Sequence, residues 1–339
     1  MSEGDNCEGR GMMEISVRAK ERFCKDCNIL IKIFQEPYFT DRLKLYDKFY
    51  GTLEKWSIFL NELEKYRCEQ DYFEEYNRVK DAAISDIKNT EAYQKFNEED
   101  MNKYAVSHKN LPDKDIFKLS NDRKCFISID MRKANFSSLH HYNSGIFNGA
   151  GSWEEFIGRY TDNQHIINSK YIRQVILGNC NPKRHITYEK YLMDGVLTYL
   201  TEVFIPVDHV VFFSNDEIVI DVSDMDENEQ ERTVFAISNG MKDMPVPLKT
   251  ELFVLHKIIG TDGYYKKIFN ENGKSEIEFK CLDNYTLPFV LKKFLGEEIT
   301  ESDKVFCHEG LLAKFIETPE IEWAENCSGQ GPAFVVVGS

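Results

Sequence analysis

Shortly after its first third, the chain reads Cys125-Phe126-Ile127-Ser128-Ile129-Asp130, an almost wholly apolar run that ends in a carboxylate. Such a run is typical of a strand that is buried on both faces. The residues before it have helical spacing, whereas the residues after it alternate between helical and strand patterns. We therefore expect this strand to begin a sheet domain that follows a helical N-terminal region.

The next strand signal is a pair of short apolar runs, His209–Phe213 and Ile218–Val222, with two acids between them. This spacing predicts a β-hairpin that carries Asp216 and Glu217 at its tip. If the hairpin lies beside the first strand, both acids meet Asp130 at the edge of the sheet. Carboxylates brought so close repel one another unless cations lie between them, and hard oxygen ligands suit Mg²⁺ or Mn²⁺. Two such ions about 4 Å apart would clamp the attacking and leaving oxygens of a phosphoryl transfer.

Further helices and strands are predicted around the hairpin. The helices cover Trp153–Tyr160, Ile166–Leu177, Pro182–Leu200 and Glu227–Gly240, and the strands cover Leu248–Ile258, Tyr264–Phe269 and Ile277–Cys281, with a turn at Asn270–Gly273. The pattern predicts an α+β fold in which an antiparallel sheet is backed by helices.

The N-terminal third is predicted to be helical. Between Asp41 and Asp86 there is no proline and one glycine. The apolar residues Leu45, Phe49, Leu53, Trp56, Leu60 and Leu63 recur at three- and four-residue intervals, which places them on one helical face. A further helix is predicted over Asp71–Ile87, and the polar segment Asn97–Asp122 is predicted to be a connector.

These patterns divide the chain into three parts. Residues 1–120 form a helical accessory or fingers-like region, residues 121–300 contain the sheet, and residues 301–339 form a C-terminal extension. Its glycine-rich end, Ser328–Ser339, is expected to be a flexible tail.

Composition restricts the class of protein. Hydrophobic residues make up 42%, which favours a folded globular chain, and no apolar run approaches the roughly 20 residues that span a bilayer. Met1–Gly11 lacks an apolar signal core, so we expect an intracellular, cytoplasmic protein without a membrane partner. The abundance of Lys, Asn, Ile, Tyr and Phe is typical of AT-rich genomes and leaves a viral source open. Lys and Arg number 42 against 57 Asp and Glu, a net charge of −15. That charge predicts weak unaided binding to nucleic acid.

Four short segments resemble, in order, the sequence motifs of reverse transcriptases. Asp130 with Ala134, Asn135 and Phe136 resembles motif A, and Gly178 with Asn181-Pro182 resembles motif B. The hairpin Phe213–Val219 resembles motif C, whose Asp-Glu pair is also similar to that of bacterial repair-type DNA polymerases. Lys249-Thr250 matches a pair often found near motif D. The resemblance covers Cys125–Phe269 and implies a polymerase palm.

The resemblance also implies roles for individual residues. Asp130 and Asp216 would bind both metal ions with help from Glu217, and Lys249 would protonate the pyrophosphate leaving group. Nucleotide or template would contact a further set of residues: Arg132, Lys133, Asn135, Phe136, Gly178, Asn181, Lys183 and Arg184. Arg173 adds positive charge nearby. The substrates would be nucleoside triphosphates and an RNA or DNA template-primer.

Asn135 departs from the DNA-synthesising members of that family, which carry a bulky aromatic residue five positions after the motif A aspartate. A smaller amide can admit a ribose 2′-hydroxyl and hydrogen-bond to it. We therefore expect ribonucleotides to be accepted. Asn181 replaces the usual motif B serine, and nothing after Phe294 resembles a full thumb, so a protein partner or a homo-oligomer is expected.

Several functions fit these patterns. The leading one is a template-dependent nucleotidyltransferase that uses two-metal catalysis. The acidic charge and the missing thumb also fit a palm-derived subunit that has lost catalysis and binds nucleic acid or a protein. An unrelated metal-dependent phosphotransferase or nuclease with an acidic hairpin, or a soluble α/β interaction protein, remains open.

Overall fold

The helices and strands follow the predicted order. A computed structural model describes residues 15–114, 116–270 and 275–323. The α-helices of these ranges are α1 Val17–Asp26, α2 Tyr38–Tyr50, α3 Thr52–Leu63, α4 Glu69–Asn89, α5 Glu91–Glu98, α6 Ala134–Tyr142, α7 Trp153–Ile157, α8 Gln164–Asn168, α9 Lys170–Gly178, α10 Pro182–Val203, α11 Glu227–Gly240 and α12 Leu287–Leu295. The strands are β1 Cys125–Met131, β2 Val210–Phe213, β3 Glu217–Asp221, β4 Leu248–Ile259, β5 Tyr264–Phe269, β6 Ser275–Lys280, β7 Val305–His308, β8 Leu311–Lys314 and β9 Glu322–Trp323.

The main sheet is antiparallel, and its strands lie in the order β2-β3-β1-β4-β5-β6, with β9 paired to β4. The chain passes from β1 through α6–α10 to the β2–β3 hairpin, and then through α11 to β4. This is the βαββαβ arrangement of ferredoxin-like folds. The α+β class with an antiparallel sheet and helices is therefore confirmed.

The central strand β1 is hydrogen-bonded on both edges, to β3 and to β4. Because side chains alternate along a strand, Ile127 and Ile129 enter the large core formed with the helices, and Phe126 enters a smaller core on the opposite face. Asp130, near the end of the strand, is half-buried. Burial on both faces explains the nearly continuous apolar run.

The predicted apolar stripe of the N-terminal helices is wrong as one continuous face. Gly51 adopts a left-handed conformation with φ +57° and separates α2 from α3. A residue without a Cβ takes this conformation with little strain. Beyond the break, the direction of the face changes, and Leu53 is 42% exposed.

Other helix predictions are confirmed with shifted ends. The predicted helix Ile166–Leu177 is split at Ser169, whose hydroxyl accepts a hydrogen bond from the Ile172 N–H and so caps α9. The predicted helix from Trp153 ends at Ile157, three residues early. The helices predicted over Asp71–Ile87, Pro182–Leu200 and Glu227–Gly240 correspond to α4, α10 and α11.

The connector contains no α-helix or strand between the end of α5 and β1 in its described residues. Part of it covers the sheet, because Ile116 and Phe117 pack in the smaller core. Of the predicted turn Asn270–Gly273, only Asn270 lies within the described residues. The predicted tail lies outside them. No helix in the described ranges has the length and apolarity needed to cross a membrane.

Asp26 joins the N-terminal helices to the helices inserted between β1 and β2. Its buried carboxylate accepts hydrogen bonds from the Tyr76 hydroxyl at 2.9 Å and the Ser169 hydroxyl at 2.8 Å, and it lies 3.1 Å from His165 Nε2. These partners lie on α4, on α8 and at the N-cap of α9. One hydrophobic core contains residues of both predicted parts 1–120 and 121–300. The division of the chain at residues 120 and 300 stays a prediction.

Arg42 of α2 holds the C-terminal extension in the same way. Its buried guanidinium forms an ion pair with Asp303 at 3.2 Å and donates to the carbonyl oxygens of Ser302, Asp303 and Val305. These bonds satisfy the charge and attach the β7–β8 hairpin to the N-terminal helices.

Arg42→Met should lower the free energy of unfolding by about 3 kcal/mol, because the buried Asp303 carboxylate would lose its guanidinium partner and keep only the Lys292 ammonium, 3.9 Å away. Urea denaturation followed by circular dichroism measures this loss. Lys95→Ala, which removes a solvent-exposed ion pair with Glu91, is the control and should leave the midpoint unchanged. Equal midpoints for Arg42→Met and wild type would contradict the structural role of Arg42.

Candidate functional site

The three predicted acids lie together at one end of the sheet. Asp130 of β1 is directly opposite Glu217 of β3 on one side and opposite Lys249 of β4 on the other. The Met131 N–H donates to the Asp216 carbonyl oxygen at 2.7 Å, which extends the ladder to the hairpin tip. The register of β1 therefore places all three acids beside one another.

The hairpin tip is held by its own side chains. The Ser214 hydroxyl donates to the Asp216 carboxylate at 2.9 Å and accepts the Glu217 N–H at 2.9 Å. The Asn215 amide donates to the Glu189 carboxylate of α10 at 2.7 Å. These bonds fix the direction of the Asp216 side chain.

The proximity of the acids changes their protonation. Burial, followed by the charges of Glu217, Asp216 and Glu251, raises the pKa of Asp130 to about 6, although Lys249 partly opposes the change. Burial also raises the pKa of Glu189 to about 7. A cation at this point would relieve the repulsion that raises the pKa of Asp130.

Two depressions meet at Asp130. The first, called here the front cavity, has a volume of about 480 Å³ and is lined by Asp130 and Asp216 together with Asn135, Gly178 and residues of α9. The second, the sheet-face groove, has a volume of about 1150 Å³ and is lined by Asp130 and Glu217 together with residues of β4, β5 and β6. Asp130 thus lines both depressions.

Basic side chains of α9 reach the front cavity. Lys170 and Arg173 are three residues apart, so they share one helical face. Burial lowers the pKa of Arg173, and its buried Nε–H has no hydrogen-bond acceptor among the described residues. Arg173 itself lines the cavity, and a guanidinium there suits an anionic ligand.

The residues that follow Asp130 and were predicted to contact nucleotide or template lie in three different surroundings. Asn135 and Lys133 line the front cavity, and Lys133 also forms an ion pair with Glu154 at 2.6 Å. Phe136 is buried against Phe147, with ring centroids 4.6 Å apart, so it contributes to the core. Arg132 is exposed and lines a third depression.

Of the predicted contact residues between Gly178 and Arg184, only Gly178 lines the front cavity. The Asn181 amide donates to Asn97 at 3.0 Å outside it. Lys183 is exposed. Arg184 donates to the carbonyl oxygens of Phe96 and Glu99 near the end of α5. The Arg184 guanidinium thus holds α5 against α10.

Lys249 lines the sheet-face groove and the third depression. Burial lowers its pKa, but the hydrogen bond and charge of Glu251, 2.5 Å away, raise it overall. The residue is therefore protonated at neutral pH, as a general acid must be.

Sequence reasoning missed Glu189 and Lys266 because their partners Asn215 and Glu217 are distant in sequence. It also missed Glu251, which pairs with Lys249 two residues before it. Lys170 had a readable signal: with Arg173 and Gln174, it forms a polar face on an otherwise apolar helix. Those three residues line the front cavity together.

The donor set near Asp130 fits a divalent cation only in part. Hard carboxylate oxygens of Asp130 and Asp216 face the same cavity, as Mg²⁺ or Mn²⁺ requires. Within the described ranges, however, no group of three or more His, Cys, Asp or Glu side chains has the geometry to hold a metal ion. Glu217 instead lies 3.7 Å from the ammonium of Lys266.

Comparison of the chain with protein-family models, with curated proteins and with solved structures gave no match. The function therefore has to be inferred from the geometry and chemistry of the site.

Asp130→Asn should raise the midpoint of thermal unfolding at about pH 7.5, and the gain should shrink as the pH falls from about 6 to about 4. The raised pKa means that folding favours the protonated carboxyl, so wild type loses stability as the pH rises through that window. The asparagine side chain carries no charge at any pH. Unfolding in the presence of a chelator measures the effect, with the exposed Asp208→Asn as control. If Asp130→Asn lowers the midpoint at about pH 7.5 as well as at about pH 4, charge repulsion on Asp130 does not destabilise the fold.

Proposed function

We propose that the chain is a template-dependent nucleotidyltransferase with a reverse-transcriptase-like palm. One observation carries this proposal. Asp130, near the end of the central strand of a βαββαβ sheet, lies next to Asp216, and both line a cavity that is also lined by Lys170 and Arg173. Two acids supply a site for cations, and two basic residues supply a site for phosphates.

Asp130 and Asp216 would hold Mg²⁺ or Mn²⁺ through their carboxylate oxygens. A bound divalent ion would activate a primer 3′-hydroxyl for attack on an α-phosphate and would stabilise the pyrophosphate leaving group. The chain itself supplies the fixed direction of Asp216, through Ser214, and the backbone pairing that holds Asp130 next to it.

The front cavity is proposed to hold the nucleoside triphosphate. Lys170 and Arg173 would bind its phosphates, since both line the cavity and ammonium and guanidinium groups form strong charge-assisted hydrogen bonds with phosphate oxygens. Asn135 lines the same cavity and would lie near the ribose. Its amide can donate to a 2′-hydroxyl or accept from it.

The sheet-face groove is proposed to receive the template-primer, with a limitation set by its charge. Its walls include Lys48, Lys55 and Lys280, but also the carboxylates of Glu276 and Glu278. Phosphates would be attracted weakly by such a mixed surface. Together with the net charge of −15, this favours a protein partner or a second copy of the chain that helps to hold the nucleic acid.

The same mixed charge of the groove favours one alternative, a palm-derived subunit that binds a partner and no longer polymerises. This alternative predicts that the acids of the site can be replaced without loss of function. The two functions are therefore separated by the effect of a single carboxylate.

Asp216→Ala should reduce nucleotide incorporation at least about a hundredfold, because it removes a ligand that supplies several kcal/mol of charge stabilisation. The assay uses purified full chain with Mg²⁺ or Mn²⁺, NTPs or dNTPs, and primed or unprimed RNA and DNA. Asp208→Asn, an exposed acid before the hairpin, should retain wild-type activity. Extension that survives Asp216→Ala would contradict the role given to Asp216, whereas wild-type protein that is inert on every template would favour the non-catalytic alternative. Breakdown of the nucleic acid would instead indicate a nuclease.

Asn135→Phe should lower the incorporation of NTPs about tenfold or more relative to dNTPs, because an aromatic ring would fill the space beside a 2′-hydroxyl. Competition between an NTP and the matching dNTP at equal concentration measures the ratio. Asn135→Ala is the control for bulk and should keep NTP incorporation. A wild-type enzyme that rejects NTPs would contradict the role given to Asn135.

A further inference from the structure

The acids around the candidate site differ in whether they have a cation of their own. On the sheet-face groove, Glu251 lies 2.5 Å from the Lys249 ammonium, and Glu278 lies 2.7 Å from that of Lys280. Glu217 lies 3.7 Å from Lys266. Each of these glutamates is paired with a lysine from β4, β5 or β6.

Asp130 and Asp216 are different. Among the described residues, neither carboxylate has a Lys, Arg or His nitrogen within 4.0 Å. Asp216 lines the front cavity, Glu217 lines the sheet-face groove, and Asp130 lines both. Among the three predicted acids, the two aspartates are therefore the ones whose charge is left for an added cation. Glu189 also lines the front cavity, but its carboxylate accepts a hydrogen bond from the Asn215 amide at 2.7 Å.

Lys266 is unusual because it is almost fully buried, with 5% of its surface exposed. Its ammonium lies 4.4 Å from the ring centre of Phe253 and 5.8 Å from that of Phe117. An ammonium in such surroundings is strongly disfavoured unless a carboxylate remains beside it. If Glu217 turned to a metal ion, Lys266 would lose that carboxylate.

We propose that Lys266 is a positioning residue that acts as the permanent counter-ion of Glu217, so that divalent cations bind on Asp130 and Asp216 and Glu217 is not a ligand. This inference rests on the proposed function and changes one of its details. It also accounts for the lack of a three-ligand group among the described side chains. The glutamate of the hairpin then neutralises a buried lysine beneath the site.

The test is Mn²⁺ binding to the purified full chain, followed by the electron paramagnetic resonance of free Mn²⁺. Lys266→Met should bind Mn²⁺ about tenfold more tightly or better, because it removes a nearby positive charge and releases Glu217. The double variant Lys266→Met with Glu217→Gln replaces a neutral pair by two uncharged groups. It should match wild type to within about threefold, whereas Asp216→Asn should weaken binding about tenfold or more.

Lys257→Met is the matched control. Its ammonium also faces an aromatic ring, 4.3 Å from the centre of Tyr264, and donates to the backbone carbonyl of Thr261. It should leave Mn²⁺ affinity unchanged. Thermal melting checks that each variant is folded. If Lys266→Met alone does not fold, the Mn²⁺ affinity of the uncharged double variant tests whether Glu217 is a ligand.

The inference is overturned if the double variant loses as much affinity as Asp216→Asn, since Glu217 would then be a ligand. It is also overturned if folded Lys266→Met binds Mn²⁺ no better than wild type. Loss of nucleotide incorporation with these affinities intact would contradict the proposed function alone. If no variant binds Mn²⁺, the metal site itself is wrong, and both proposals fall with it.

Discussion

The pairing of β1 with a strand on each edge is the constraint on which the rest of this structure depends. Because β1 lies between β3 and β4, Asp130 has Glu217 on one side and Lys249 on the other. One residue of slip in either ladder would turn Asp130 to the opposite face of the sheet. The apolar side chains of β1 pack into cores on both faces and thereby fix this register. The helix core thus determines the geometry of the acids.

Local patterns in the sequence were sufficient for much of the fold. The hairpin around Asp216, the helix that starts at Pro182 and the strand Tyr264–Phe269 are encoded by turn residues, capping and apolar alternation within short windows. The break at Gly51 was missed because the apolar spacing continues through it, and one backbone conformation decides the direction of the following helix.

The candidate site was predictable only where its chemistry lies within a motif. Asp130, Asp216 and Glu217 follow from a strand and a hairpin, but the counter-ion of Glu217 comes from β5, about 50 residues later, and no local pattern links the two. Conversely, Arg184 follows Asn181-Pro182 and was predicted to contact nucleotide or template, but its guanidinium donates its hydrogen bonds to carbonyl oxygens near the end of α5. Closeness in sequence therefore predicted the wrong surroundings for the Arg184 guanidinium and gave no indication of the Lys266 ammonium.

Crystals soaked with Mn²⁺ and a nucleoside triphosphate test the central claim most directly, because Mn²⁺ is located by its anomalous scattering. The account predicts a peak about 2.1 Å from carboxylate oxygens of both Asp130 and Asp216, with the phosphates against Lys170 and Arg173. A peak remote from these aspartates, or a triphosphate bound outside the front cavity, would contradict it.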